Sequence, residues 1–144
     1  MSAAKRSPEL PRPAEPYDYF TEARKELAPL TSITVSQPRQ ARGAGVFTTY
    51  TAYLCTATTA DNETLTAHRR YTDFQTLVLA ICKQYPALKD VLPSLPEKKV
   101  LGKFKSSFVE KRRAGLEAFL AAALTQQHAY RFLSWFLYRF LQHT

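Results

Sequence analysis

Arg69-Arg70-Tyr71-Thr72-Asp73-Phe74 marks the point where a strand pattern gives way to a helix pattern. Upstream, Thr64 to Tyr71 alternates. Leu65 and Ala67 share one face of a strand, and Thr64, Thr66, His68 and Arg70 share the other. Arg70 therefore points to the polar side at the strand's end. Arg69 points with the apolar residues, so it either snorkels out or supports the fold. Downstream, Phe74, Leu77, Val78, Ile81, Cys82 and Tyr85 recur at helical spacing until Pro86. Thr72 followed by Gln75 has the form of a capping box, with Thr72 as N-cap.

Further upstream, Phe47 to Thr59 is rich in Thr, Tyr and Phe and suits a long strand, with a turn at Asp61-Asn62-Glu63. Ile33-Thr34-Val35 is a short strand, and Gln37–Gly45, with Pro38 and two glycines, reads as a loop. On the C-terminal side, Val91 to Phe104 begins as a proline-rich loop (Pro93, Pro96) and ends as lysines alternating with apolar residues. A second helix starts near Ser106 or Ser107 and runs to Leu124. A third, short and very apolar, spans Ala129 to Leu141. The expected fold is α+β: a three-stranded antiparallel β-meander packed against a helical subdomain of three or so helices, with a proline-rich loop.

Charge narrows the function. The 144 residues carry a net charge of +8. Residues 1–26, proline-rich, hold five basic and five acidic side chains, so the excess lies in the remainder, with 15 basic against 7 acidic. Residues 1–26 read as a disordered or extended tail, with Tyr17, Tyr19 and Phe20 as its apolar knot, and residues 27–144 as one domain. So basic a domain favours a polyanionic partner. In the second helix Phe108, Arg112 and Leu116 lie along one side, and an arginine within a core-facing stripe needs an anion or a protein carboxylate to face. Lys111 and Arg113 lie off that stripe and read as solvated. Two arginines, an aromatic ring and a lysine-rich loop suit a phosphorylated headgroup. No Ser/His/Asp set, Gly-rich phosphate loop or paired-carboxylate site stands out, so catalysis is not expected. Cys55 and Cys82, the only cysteines, have no metal-ligand spacing and read as buried free thiols. No metal or cofactor is expected. Nucleic acid is favoured by charge alone and is not expected either.

The Arg-Arg-Tyr-Thr-Asp-Phe junction, the loop ending in Leu95-Pro96-Glu97-Lys98, and Phe108-Val109-Glu110-Lys111-Arg112-Arg113-Ala114-Gly115-Leu116-Glu117 together resemble the phox-homology (PX) domain of sorting nexins, over roughly residues 30–142. The resemblance implies a phosphoinositide-binding module. Arg70 would grip the 3-phosphate and Tyr71 would lie beneath the inositol ring. Lys98 would meet the 1-phosphate, and Arg112 the 4- and 5-hydroxyls. Arg69 and Lys99 are secondary candidates. Val100, Leu101, Lys103, Phe104 and Lys105 would form a membrane-insertion loop, apolar tips entering the headgroup region beside lysines. The implied ligand is phosphatidylinositol 3-phosphate on an anionic membrane. The implied location is the cytoplasm, peripheral on the endosome membrane, in sorting and trafficking. The alternative is a protein-interaction adaptor using the apolar C-terminal helix (Trp135, Phe136, Tyr138, Phe140) and the N-terminal tail.

Overall fold

A computed structural model describes residues 27–43, 49–98, 104–130 and 132–142. Strands β1 (Leu30–Arg42), β2 (Thr49–Thr59) and β3 (Thr64–Arg70) form an antiparallel sheet in sequence order. Helix α1 (Tyr71–Gln84) follows β3 without a linker. A 3-10 turn (Pro86–Asp90) leads to the proline loop, and then come α2 (Ser106–Thr125) and α3 (Leu133–Gln142). The meander and three helices match the expected α+β architecture.

The tight β2–β3 turn is built from its own side chains. Asn62 has φ 68°, a conformation that Asn tolerates better than most residues. The Thr59 hydroxyl donates to Asp61 and accepts from the Glu63 amide at 2.9 Å. These bonds fix the β2–β3 register, in which Ala52 faces Arg70 and Cys55 faces Ala67. The inward residues of the sheet (Val35, Tyr53, Cys55, Ala57, Ala67) and the α1 stripe (Phe74, Leu77, Ile81) are buried. Each large apolar side chain withdrawn from water in this way contributes about 1.5–3 kcal/mol. Burial also pushes the Cys55 thiol up to about 12, so it stays protonated.

Three local expectations are corrected. First, β1 does not end at Val35. Pairing runs Ser36↔Leu54 and then Arg39↔Ala52, three residues against two, so the strand continues through a bulge to Arg42. Gln37, with φ 48°, makes the bulge, and Pro38, which has no N–H to pair, sits within it. Second, α1 begins two residues earlier than a Thr72 cap allows. Arg70 is the N-cap, and its backbone N–H donates to Asp73 Oδ2 at 2.9 Å. The acidic half of a capping box is therefore present, while the guanidinium, which has no acceptor, cannot supply the other half. Third, α3 starts at Leu133, because Gln126–Tyr130 forms turns rather than helix.

The C-terminal helix is also not the open apolar surface that the adaptor reading requires. Leu133, Trp135, Phe136, Leu137, Tyr138, Phe140 and Leu141 are all buried, and Phe140 packs edge-on to Phe74 at 4.8 Å. The stripe is core because α3 closes over α1 and the sheet. The Tyr17–Phe20 knot lies outside the described residues.

Polar groups of α2 and the turn after it reach the outer edge of β1. Gln127 accepts from the Leu30 N–H at 3.1 Å and donates to its carbonyl at 2.7 Å. Glu117 accepts from the Val35 N–H at 2.8 Å, and Arg113 donates to the Val35 carbonyl at 2.8 Å. A helix thus substitutes for a fourth strand along this part of the edge.

Candidate functional site: a cationic cleft at the strand–helix junction

Where β3 passes into α1, the start of β2, the proline loop and the first turns of α2 enclose a cleft of about 210 Å³. Arg70, Tyr71, Lys98 and Arg112 all line it, with Tyr50, Thr51, Thr72 and Phe104. Four residues spread over 43 positions of sequence are thereby brought together. Three are cations, and among the described residues no carboxylate lines the cleft. A larger groove of about 610 Å³ runs between α1 and the proline loop, but it is mostly apolar, with Lys89 as the one cation among its described lining residues. Chemistry suited to an anion lies in the smaller cleft.

Arg70 reaches the cleft because the cap fixes its backbone and the strand aims its side chain. Its guanidinium lies over the Tyr50 ring, 3.8 Å from the centroid, and has no hydrogen-bond acceptor among the described residues. Arg112 enters from α2 and is 8% exposed. It is held between two rings, Tyr71 at 3.9 Å and Phe108 at 4.6 Å. One Nη donates to the Glu97 carbonyl at 3.0 Å, while its buried Nε has no partner. Burial pulls the Arg112 pKa down, opposed by Tyr53 and Tyr71. A charge desolvated and left incompletely paired is costly, and an anion or a set of hydroxyls in the cleft would complete it.

The proline loop is seated by the same residues. The Tyr71 hydroxyl donates to the Pro96 carbonyl at 2.5 Å. It is therefore engaged by protein rather than left to water, and the ring has Arg112 against it. Beside it, Gly115 makes room for the loop: a Cβ there would stand 2.4 Å from Pro96 Cγ. Pro96 and Glu97 are thus fixed, and the exposed Lys98 that follows them is delivered to the rim.

The remaining candidates separate. Arg69 faces away from the cleft lining. Its Nε donates to the Phe140 carbonyl at 2.7 Å and its guanidinium lies 5.4 Å from the Phe140 ring, so it ties β3 to α3. Phe104 stands at the cleft rim, 36% exposed, and Lys105, also exposed, is the N-cap of α2. Lys99, Val100, Leu101 and Lys103 lie outside the described residues. Arg113, expected to be solvated, is engaged instead. It pairs with Glu110 at 2.7 Å and Glu117 at 3.3 Å and reaches Val35. The hydrogen bond from Arg113 to Glu110 holds that carboxyl below the ordinary carboxylate range. Sequence reading missed Tyr50 and the spacing role of Gly115. The only signal for Tyr50 is strand arithmetic: it lies two residues from the partner of Arg70.

A family profile for the PX domain matches residues 57–144. The chain belongs to the PX domain family. Relatives of this PX domain include sorting nexin-4 of Eremothecium gossypii, 37% identical over 100 residues, covering 61% of this chain and 24% of the relative. The vacuolar protein sorting-associated protein vps5 of Schizosaccharomyces pombe is 41% identical over 56 residues, 39% of this chain and 9% of that one. The chain thus spans about a quarter of the former's length and less than a tenth of the latter's. Among solved structures, a designed CISK-PX domain superposes with a TM-score of 0.60 at 23% identity, covering 78% of this chain and all of its own. The mouse SNX19 PX domain with bound sulphate ion gives 0.55 at 22%, covering 78% and 95%. At those identities the likeness is one of fold.

Proposed function

We propose that this PX domain is a non-catalytic phosphoinositide-binding module that recruits its protein to endosomal membranes for sorting. The ligand is phosphatidylinositol 3-phosphate, held at Arg70, Tyr71, Lys98 and Arg112, and the binding unit is residues 27–144 with residues 1–26 as a lead-in. The observation that carries the reading is Arg112, desolvated between two rings with an unpartnered Nε, in a cleft that, among the described residues, has two more cations and no carboxylate. Arg70 offers the 3-phosphate a planar fork of donors, which a lysine could not match. Lys98, on a fixed loop, is a point charge for the phosphate that links headgroup to lipid. Arg112, locked between Tyr71 and Phe108, has little freedom to retreat. Hydroxyls at the 4- and 5-positions fit beside it, and bulky phosphates there would collide.

Membrane attachment needs more than one headgroup. The rim residues Phe104 and Lys105, with the 99–103 segment, would add apolar insertion and contacts with anionic lipid, at about 1 kcal/mol per basic residue. Among the described residues no helix is long and apolar enough to cross a membrane. The relatives' names, a sorting nexin and a vacuolar sorting protein, support the trafficking part of the reading.

The experiment is a liposome panel carrying each phosphoinositide, read with wild type and Arg70→Ala. Wild type should sediment with the 3-phosphorylated lipid, and the folded variant should remain in the supernatant, a loss of at least about 100-fold. Equal sedimentation of the two proteins sinks the assigned cleft. Preference for a 4- or 5-phosphorylated lipid keeps the cleft but overturns the ligand.

A further inference from the structure

Arg70 faces the cleft, but among the described residues no hydrogen bond holds its guanidinium there. What holds it is a ring from another strand. In the β2–β3 ladder Arg70 is directly opposite Ala52, and Tyr50 lies two residues along β2 on the same face. Tyr50 is therefore the diagonal neighbour of Arg70, a separation that long and aromatic side chains span. The directly opposed residue is only a methyl group, so the arginine has room to lean across to that ring. The guanidinium settles 3.8 Å above the ring centroid. Stacking uses the face of the guanidinium and leaves its in-plane N–H groups available, and those are the groups that fork onto phosphate oxygens.

We infer that Tyr50 is a positioning residue for the phosphate ligand, holding the Arg70 guanidinium flat and oriented in the cleft before the headgroup arrives; the inference rests on the phosphoinositide reading above. Through this stack β2 sets the orientation of the phosphate-binding fork, although no β2 residue was among those implied by resemblance. The ring is the active part. The Tyr50 hydroxyl has no hydrogen bond among the described residues, so Tyr50→Phe keeps the function and removal of the ring does not.

The test is calorimetric titration of a soluble, short-chain phosphatidylinositol 3-phosphate into wild type, Tyr50→Phe, Tyr50→Leu and Arg70→Ala, with circular dichroism as the check on folding. Tyr50→Phe should bind within about twofold of wild type. Tyr50→Leu should bind about tenfold more weakly, the loss of one partly desolvated cation–ring contact. Tyr50→Gln, more soluble at a half-exposed position, takes its place if the leucine variant fails to fold. A second readout follows the stack itself. The Nε–H proton of Arg70 should be shifted upfield by the ring in wild type and Tyr50→Phe, and should return to the free-arginine position in the ring-less variant. Unchanged affinity without the ring overturns the inference, as does an equal loss in Tyr50→Phe or an arginine proton indifferent to the ring. If Arg70→Ala binds like wild type, it is the cleft assignment that fails. If only Arg70→Ala loses binding, the cleft stands and the role of Tyr50 falls.

Discussion

Two adjacent arginine pairs, Arg69-Arg70 on β3 and Arg112-Arg113 on α2, divide in the same way. One member of each pair is tied to protein: Arg69 to the Phe140 carbonyl, Arg113 to Glu110, Glu117 and Val35. The other member turns into the cleft, stacked on aromatic rings, with most donors left over: Arg70 on Tyr50, and Arg112 between Tyr71 and Phe108 with one Nη on the Glu97 carbonyl. The division teaches that positive charge alone does not mark an arginine that faces the cleft. What separates the members of each pair is how many of the guanidinium's donors are already occupied. Rings hold an arginine without using its hydrogen-bond donors, and carbonyls and carboxylates use them.

The sharpest way to break this comparison is to replace each α2 arginine with methionine. Arg112→Met should reduce headgroup affinity about 100-fold or more while leaving stability unchanged or raised, because it removes a buried, incompletely paired charge and keeps the volume. Arg113→Met should do the reverse, costing about 1–2 kcal/mol of stability with affinity within about twofold. Denaturant melts and headgroup titrations on both variants decide it, and any result in which both proteins lose the same property erases the distinction.

A smaller effect is expected at the joint between loop and helix. Gly115→Ala would press a methyl group into Pro96, and overpacking of this kind costs about 1–3 kcal/mol. Because Pro96 and Glu97 are also bonded to Tyr71 and Arg112, the variant should lose both stability and several-fold in affinity. A stability loss with unaltered binding would separate the loop from the cleft.

The smallest effect concerns acid. Hydrogen bonding to Arg113 lowers the Glu110 pKa, so the stabilisation from this carboxylate is present above its unfolded value and is lost as pH falls through the lowered folded value. Glu110→Gln should be less stable than wild type at neutral pH, and the gap should close as the pH drops below the ordinary carboxylate range. A gap that persists at low pH would show that the pair acts through packing and not through charge.

Much of this was legible in the sequence because it depends on local periodicity. Strand alternation alone separated Arg70 from Arg69, and helical spacing alone marked Arg112 as an arginine on a buried stripe. The remainder depended on partners distant in sequence. Pro38 and its glycine-rich surroundings suggest a loop, yet the bulge at Gln37 lets β1 continue because β2 pairs with it on both sides. Thr72 looks like a cap, but Asp73 reaches back to the Arg70 amide and starts the helix sooner. Arg113 looks solvated until the edge of β1 is laid against α2. Tyr50 and Gly115 owe their roles to a cross-strand diagonal and to a loop 19 residues upstream, which no local window contains.

The outer edge of β1 has a consequence for behaviour at high density. An open strand edge is a template for a strand from another molecule, and a membrane surface concentrates its peripheral proteins. Here Gln127, Glu117 and Arg113 occupy backbone groups of the first half of that edge, and the bulge with Pro38 distorts the second. The sheet is therefore guarded against self-templated assembly and amyloid-like stacking along its β1 edge.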